Sequence, residues 1–323
     1  MARYAGREGR PTVSAIAGQG QAAGSSTRPD PRRGRRARAR IADRVMTGIF
    51  WGASIAVGLL LLYIIIYMLG KGLSVISWDF VTKYDASGNF VGAQVFNSFY
   101  MVTLSLLICI PIAFSAAIYL VEYARQGIFT TILRFAADTL AGIPSIILGL
   151  FGFLVFVTVL GSGRFMGYSR LAGALTLVML NLPLLLRVSE DALRAVPNEL
   201  REASMSLGAN KFKTIWRVML PAALPALTTG VILTAGKMIG ETAALIFTAG
   251  SSAPVNGWFS LDPLYPGQTL TILLFNLQAE GGGPNAVQIQ NGVATLLILF
   301  LLIFNLGLRY LAGALSRRLS GRA

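Results

Sequence analysis

Long uncharged runs alternate along the chain with short segments that carry most of the Arg and Lys. Residues 47–69 contain no charged side chain. At about 1.5 Å per residue, a helix over that run is longer than the roughly 30 Å hydrocarbon core of a bilayer. The same reading predicts spans over 95–121, 139–160, 171–186, 223–249 and 292–315, which makes an all-α membrane protein with six transmembrane helices. Arg170 and Arg187 flank the short fourth span, where long cationic side chains are expected to snorkel to the interfaces. Pro111 and Pro183 fall inside spans and are predicted to bend or break them. Residues 70–94, 161–170 and 250–291 then form loops on one side, the last rich in Gly and Pro and without a basic residue.

Composition agrees with this pattern: 54% of residues are hydrophobic and 13% charged, too little polar surface for soluble domains. The net charge of +14 is concentrated between the runs, as in cytoplasmic loops rather than on a nucleic-acid-binding face. Residues 1–44 are rich in Arg, Gly, Ser, Pro and Ala and read as a disordered tail. In that tail Arg32, Arg33, Arg35, Arg36, Arg38, Arg40 and Arg44 stand just before the first span, placed to hold the N-terminus inside and to touch anionic lipid. Residues 45–315 form the membrane domain and 316–323 a second basic tail. With the N-terminus inside, the outer loops hold only Lys71, Lys83, Arg164 and Arg170, a bias that predicts both termini in the cytoplasm.

The chain has no His, and its single Cys109 lies in an apolar run, which excludes zinc sites and disulfide frameworks and removes the commonest general base. The segments GANKFKT (208–214) and GKMIGET (236–242) lack the spacing of a phosphate-binding loop, so any ATP is handled by another chain. A secondary transporter would need its own ion-coupling site and often shows internal repeats, and the sequence has no obvious repeat and no more than one intramembrane acid–base pair.

Between spans four and five, residues 190–221 predict an amphipathic elbow of two short helices. Pro197 suits a helix start, Glu199 and Glu202 sit near its positive end, and Gly208 is placed to end it in the left-handed conformation. Asn210 is placed to cap the second helix, on which Phe212, Ile215, Trp216 and Met219 recur at helical spacing before Pro221. An apolar face beside basic residues suits docking into a groove on a soluble partner. In Glu202, Ala203 and Ser204, then Gly208, then Val218, Met219, Leu220 and Pro221, the elbow resembles the coupling loop of type I ABC-importer permeases. Ser204 and Val218 are mild departures from that family's pattern. The resemblance implies the type I permease fold and docking of the elbow on an ATPase subunit, with ATP and Mg held there and no cofactor bound by this chain.

In span five, Lys237 and Glu241 are four residues apart, on one face of a continuous helix and near mid-membrane. Charges at that depth are functional candidates, because they cost a few kcal/mol or more unless paired or wetted. An oxyanion in transit needs a positive group against desolvation and a nearby carboxylate that keeps it from being held. Gly236 and Gly240 are placed to let another helix approach closely. GETAALIFTAG (240–250), AIYLVEYAR (117–125), LAGIPSIILGLFGF (140–153) and LPLLLRVSEDALRAVP (182–197) together resemble the PstA-type permease of bacterial phosphate importers over roughly residues 45–315. That resemblance implies inner-membrane location, a PstC-type partner permease, two copies of a PstB-type ATPase and a periplasmic phosphate-binding protein. It also makes Lys237, Glu241, Thr242 and Arg187 the candidates for the translocation path. An Arg usually stands at the position of Lys237 in that family, and Lys lacks the bidentate fork. A permease for another oxyanion, such as sulfate or molybdate, stays open.

Overall fold

The computed structural model describes residues 31–83, 90–125, 127–161, 167–251, 259–279 and 285–319. The chain divides into two units, Met1–Leu61 and Leu62–Ala323. The described part of the first is helical, the leading portion of α1 (Pro31–Gly72), and its side chains from 43 onward are exposed. The Arg-rich stretch expected in a disordered tail up to residue 44 is therefore helical in backbone from Pro31. Arg and Ala are among the best helix formers, so the helix of the apolar run extends outward through them, and Pro31 suits its first position. Residues 1–30 and 320–323 of the two expected tails lie outside the described residues.

In the second unit α2 (Trp78–Thr82) is a short helix capped by the Ser77 hydroxyl, which accepts from the Phe80 amide at 3.1 Å. It leads into α3 (Gly92–Ile118), and a π-helical turn, Tyr119–Tyr123, completes that crossing. α6 (Arg170–Arg194) forms another, extending beyond the expected end at 186. Pro111 and Pro183 break neither helix. The expected third span is two helices: α4 (Ile128–Gly142) meets α5 (Ser145–Gly152), itself continued by a π-helical segment Phe153–Val159, at a bend of 103°. Here Gly142 ends the helix, and Ile143, forced out of the helical region by Pro144, is extended at φ −75° and ψ 133°. Only the 8 and 7 residues of α5 and its continuation follow one direction, about 22 Å of rise. α4 occupies what was expected to be a loop over 122–138. Its Ile128, Phe129, Ile132 and Phe135 are exposed, and its Arg134 and Asp138 pair with α6.

The elbow comprises α7 (Asn198–Ser206) and α8 (Lys211–Thr214), the latter passing through a π-helical turn, Ile215–Met219, into α9 (Leu220–Gly240). The expected fifth span is likewise interrupted: α9 stops at Gly240, and α10 (Ala243–Thr248) begins after a two-residue break. Within the expected outer loop 250–291 lies a further apolar helix, α11 (Leu270–Ala279), whose Leu270 and Ile272 are wholly buried. α12 (Ala286–Leu319) closes the fold. Among the described residues five helices are long and apolar enough to cross a membrane, and the bent α4–α5 pair makes a sixth if counted as one span.

α3 and α6 share the largest helix contact, and α9 joins them on α6. Met101, Leu106 and Cys109 of α3, Leu177 and Leu185 of α6, and Met238 of α9 form the main core with Leu245 and Ile272. Lipid tails give little hydrophobic drive between helices, so association relies on close packing of small residues. Gly149 of α5 meets α10 so tightly that a Cβ there would stand 2.6 Å from the Ala244 Cα. The approach expected at Gly236 and Gly240 is not made among the described residues: none of them lies within 4 Å of a Cβ at Gly240, and at Gly236 the nearest is the Asn305 Nδ2 at 4.0 Å.

Candidate functional site

The elbow closes through short-range chemistry. The Leu207 amide donates to the Ala203 carbonyl at 3.2 Å, the Gly208 amide to Met205 at 2.9 Å and the Ala209 amide to Ser204 at 3.2 Å, with Gly208 at φ +82°. This satisfies carbonyls at the end of α7 in the manner of a left-handed C-cap. Two residues on, the Asn210 Oδ1 accepts from the Lys213 amide at 2.9 Å and starts α8. The two limbs are tied by the buried Ser204 and Thr214 hydroxyls, 2.9 Å apart. Ile215 and Met219 are buried against Leu193, Val196, Ala223 and Leu227 at the root of the elbow. The predicted apolar stripe is therefore split, because Phe212 and Trp216 stay exposed with ring centroids 6.0 Å apart. Glu202, Ala203 and Gly208 are exposed as well, and Leu220 and Pro221 are partly buried where α9 begins. The outer face of the turn, with Leu207 89% exposed, thus sets apolar side chains beside the exposed charges of Glu202, Lys211 and Lys213.

The span-five pair is placed differently from the expectation. Since α9 ends at Gly240, Lys237 and Glu241 do not share a continuous helical face, and among the described residues no carboxylate lies within ion-pair range of Lys237. Glu241 is extended, at φ −74° and ψ 126°, and half-buried. Its Oε1 accepts from the Ala244 amide at 3.3 Å, capping α10, and its carbonyl accepts from the Thr271 hydroxyl of α11 at 3.0 Å. The carboxylate is occupied in making the break. Lys237 is exposed, on a face of α9 shared with Leu233 and Gly240, both exposed too. Thr242 lines an open groove of about 770 Å³ with Thr271, Gln278, Gln290 and Asn291.

Arg187 lines a different cavity, of about 230 Å³, whose wall also includes Arg134, Asp138, Glu190 and Arg194. Its Nη1 donates to the Asp138 Oδ1 at 2.8 Å, an exposed pair. Beside it Glu190, with 10% of its side chain exposed, accepts from the Arg134 Nε at 3.2 Å and the Arg194 Nη2 at 3.3 Å. The four path candidates are therefore not gathered in one cavity.

Arg170 does not snorkel. It is wholly buried at the start of α6, with its guanidinium carbon 5.2 Å from the Phe96 ring centroid and 5.5 Å from that of Tyr100, and it donates through Nη1 to the Ser260 carbonyl. The Tyr100 hydroxyl donates to the Leu261 carbonyl at 2.8 Å, and Phe96 packs on Phe259 with centroids 4.6 Å apart. Together they fasten the 259–269 segment to α3 and α6. Sequence reasoning missed this cluster: Phe96 and Tyr100, one helical turn apart, read as an aromatic face of α3, but nothing in the sequence links them to Arg170 or Ser260.

Residues 109–321 match the family of binding-protein-dependent transport system inner membrane components. The probable ABC transporter permease protein YqgI of Bacillus subtilis is 36% identical over 293 residues, covering 87% of this chain and 98% of the relative. The phosphate transport system permease protein PstA of Pasteurella multocida is 33% identical over 265 residues, 81% of this chain and 88% of the relative. Among solved structures, a chain of a bacterial alginate ABC transporter aligns with a TM-score of 0.57 at 16% identity, covering 87% of this chain and 96% of that one, a likeness of fold. With an elbow between two membrane-crossing helices and relatives matched over most of its length, the chain belongs to the family of binding-protein-dependent transport system inner membrane components.

Proposed function

We propose that this chain is the membrane-spanning permease subunit of an ATP-driven importer of inorganic phosphate in a bacterial inner membrane, with both termini cytoplasmic. It pairs with a PstC-type permease, docks two copies of a PstB-type ATPase that bind ATP and Mg, and receives phosphate from a periplasmic binding protein. The reading is supported by relatives named PstA at 30–33% identity and by the exposed turn around Gly208. The observation that carries it is Lys237, a lysine far along a membrane-crossing helix, exposed and without a carboxylate partner among the described residues. At the bilayer centre such a charge costs about 3 kcal/mol, less toward a helix end, and Lys237, in the last turn of α9, is better placed against a polar path than against acyl chains.

In this reading ATP closes the partner ATPases, and the elbow moves with them. The membrane helices then shift from an inward-open to an outward-open state, and hydrolysis resets them. Nucleotide bound elsewhere thus biases a two-state membrane domain. Lys237 offsets the desolvation of the passing anion without the bidentate grip of an Arg, which favours release. The test is Lys237→Met in the assembled complex in proteoliposomes. Uptake is expected to fall to background while partner chains still co-purify and ATP is still hydrolysed, and Lys237→Arg is expected to transport. Full uptake by Lys237→Met contradicts the role, and loss of assembly makes Lys237 a packing residue instead.

A further inference from the structure

We infer that Glu122 is a positioning residue: it is the joint by which both limbs of the elbow hold α3, so that elbow movement is passed to that helix. The inference rests on the importer reading above. Glu122 sits in the π-helical turn that ends the α3 crossing, with 10% of its side chain exposed. Arg201, from α7, places Nη1 3.0 Å from the Glu122 Oε1, an ion pair rather than an aligned hydrogen bond. Lys211, from α8 on the other side of the Gly208 turn, places Nζ 3.8 Å from Oε2. Each cation has a second hold. The Arg201 Nη2 donates to the Leu193 carbonyl in the last turn of α6 at 2.9 Å. The Lys211 ammonium donates to the Glu122 backbone carbonyl and lies 5.0 Å from the Tyr123 ring centroid. Cations at helix C-termini are favoured by the carbonyl dipoles there.

One carboxylate thus receives a cation from each limb, and neither limb can shift without disturbing α3. Beneath the joint Ala117 of α3 packs with Ile215 and Met219, so the apolar contact runs parallel to the ionic one. At its other end α3 presents Phe96 and Tyr100, which grip Arg170 and the 259–269 segment. α3 therefore joins the elbow to the opposite end of the molecule as one helical element, and the charge-assisted joint lets the elbow pull as well as push on it.

The experiment uses the full complex in proteoliposomes, reading phosphate taken up per ATP hydrolysed, with co-elution of the partner chains as a separate readout. Glu122→Gln, which keeps shape and removes charge, is expected to assemble and hydrolyse ATP while uptake per ATP falls roughly two- to thirty-fold, the range for residues that carry coupling. Glu122→Asp is expected to recover part of the loss, and Glu122→Gln combined with Arg201→Gln to be no worse than the more damaging single change. An unchanged ratio in Glu122→Gln overturns the inference. So does a complex that fails to co-elute, which makes the cluster a folding element only. Absence of ATP-dependent uptake in the unmodified complex overturns the importer reading instead.

Discussion

Replacing Gly208 tests the elbow in isolation from the rest of the fold. Its φ of +82° lies in the left-handed region, and no described residue stands within 4 Å of where a Cβ would project. Side-chain bulk is therefore not an obstacle among the described residues of this chain, and the cost of a substitution to the turn itself is backbone conformation. That cost is about 1–2 kcal/mol for most L-residues, at the upper end for a β-branched one and small for Asn. It changes the balance between closed and open turn by roughly 5- to 30-fold. The closed turn is held by the Leu207, Gly208 and Ala209 amides donating to Ala203, Met205 and Ser204, and the exchange of those amides reports it directly. Hydrogen–deuterium exchange over residues 203–215 in the assembled complex is expected to rise by that factor in Gly208→Val and to stay near the unmodified rate in Gly208→Asn. Uptake per ATP should follow the same order. Equal damage from Asn and Val would mean that the exposed surface, not the φ angle, is what matters. Unchanged exchange in the Val variant would refute the conformational argument outright.

Gly149→Val should destabilise the detergent-solubilised protein by about 1–3 kcal/mol, read by thermal melting, because a Cβ would meet the Ala244 Cα at 2.6 Å and backbone cannot move aside cheaply. At the elbow, Ser204→Ala should cost about 1–3 kcal/mol by leaving the buried Thr214 hydroxyl short of its partner, whereas Ser204→Ala with Thr214→Val should be nearly neutral. The same melting measurement, run as a double-mutant cycle, checks it.

The parts legible in the sequence are those fixed by neighbours in the chain. The turn at Gly208 and the cap at Asn210 were readable because a left-handed glycine and an Asn oxygen act within three residues of themselves. The breaks at Ile143 and Glu241 were not, because hydropathy over 20 residues is the same for one straight helix and for two that meet at an angle. The signals were local and present: Gly142 and Pro144 bracket the first break, and a carboxylate able to cap α10 makes the second. Pro111 and Pro183 carried the same warning and break neither helix. α11 hides inside an expected loop because the Gly and Pro around it dominate the segment, although 270–279 is itself an apolar run. Arg170 and Glu122 were beyond reach for a different reason. Their partners lie far away in sequence, Ser260 for the first and Arg201 and Lys211 for the second, so only the folded helices bring them together.

The most direct test of the account is uptake of radiolabelled phosphate and sulfate by proteoliposomes holding this chain with its co-purifying partners, with ATP trapped inside and binding protein supplied outside. Phosphate uptake is expected to need both ATP and binding protein, with sulfate excluded. Uptake by this chain alone without ATP, or uptake of sulfate in place of phosphate, would contradict it.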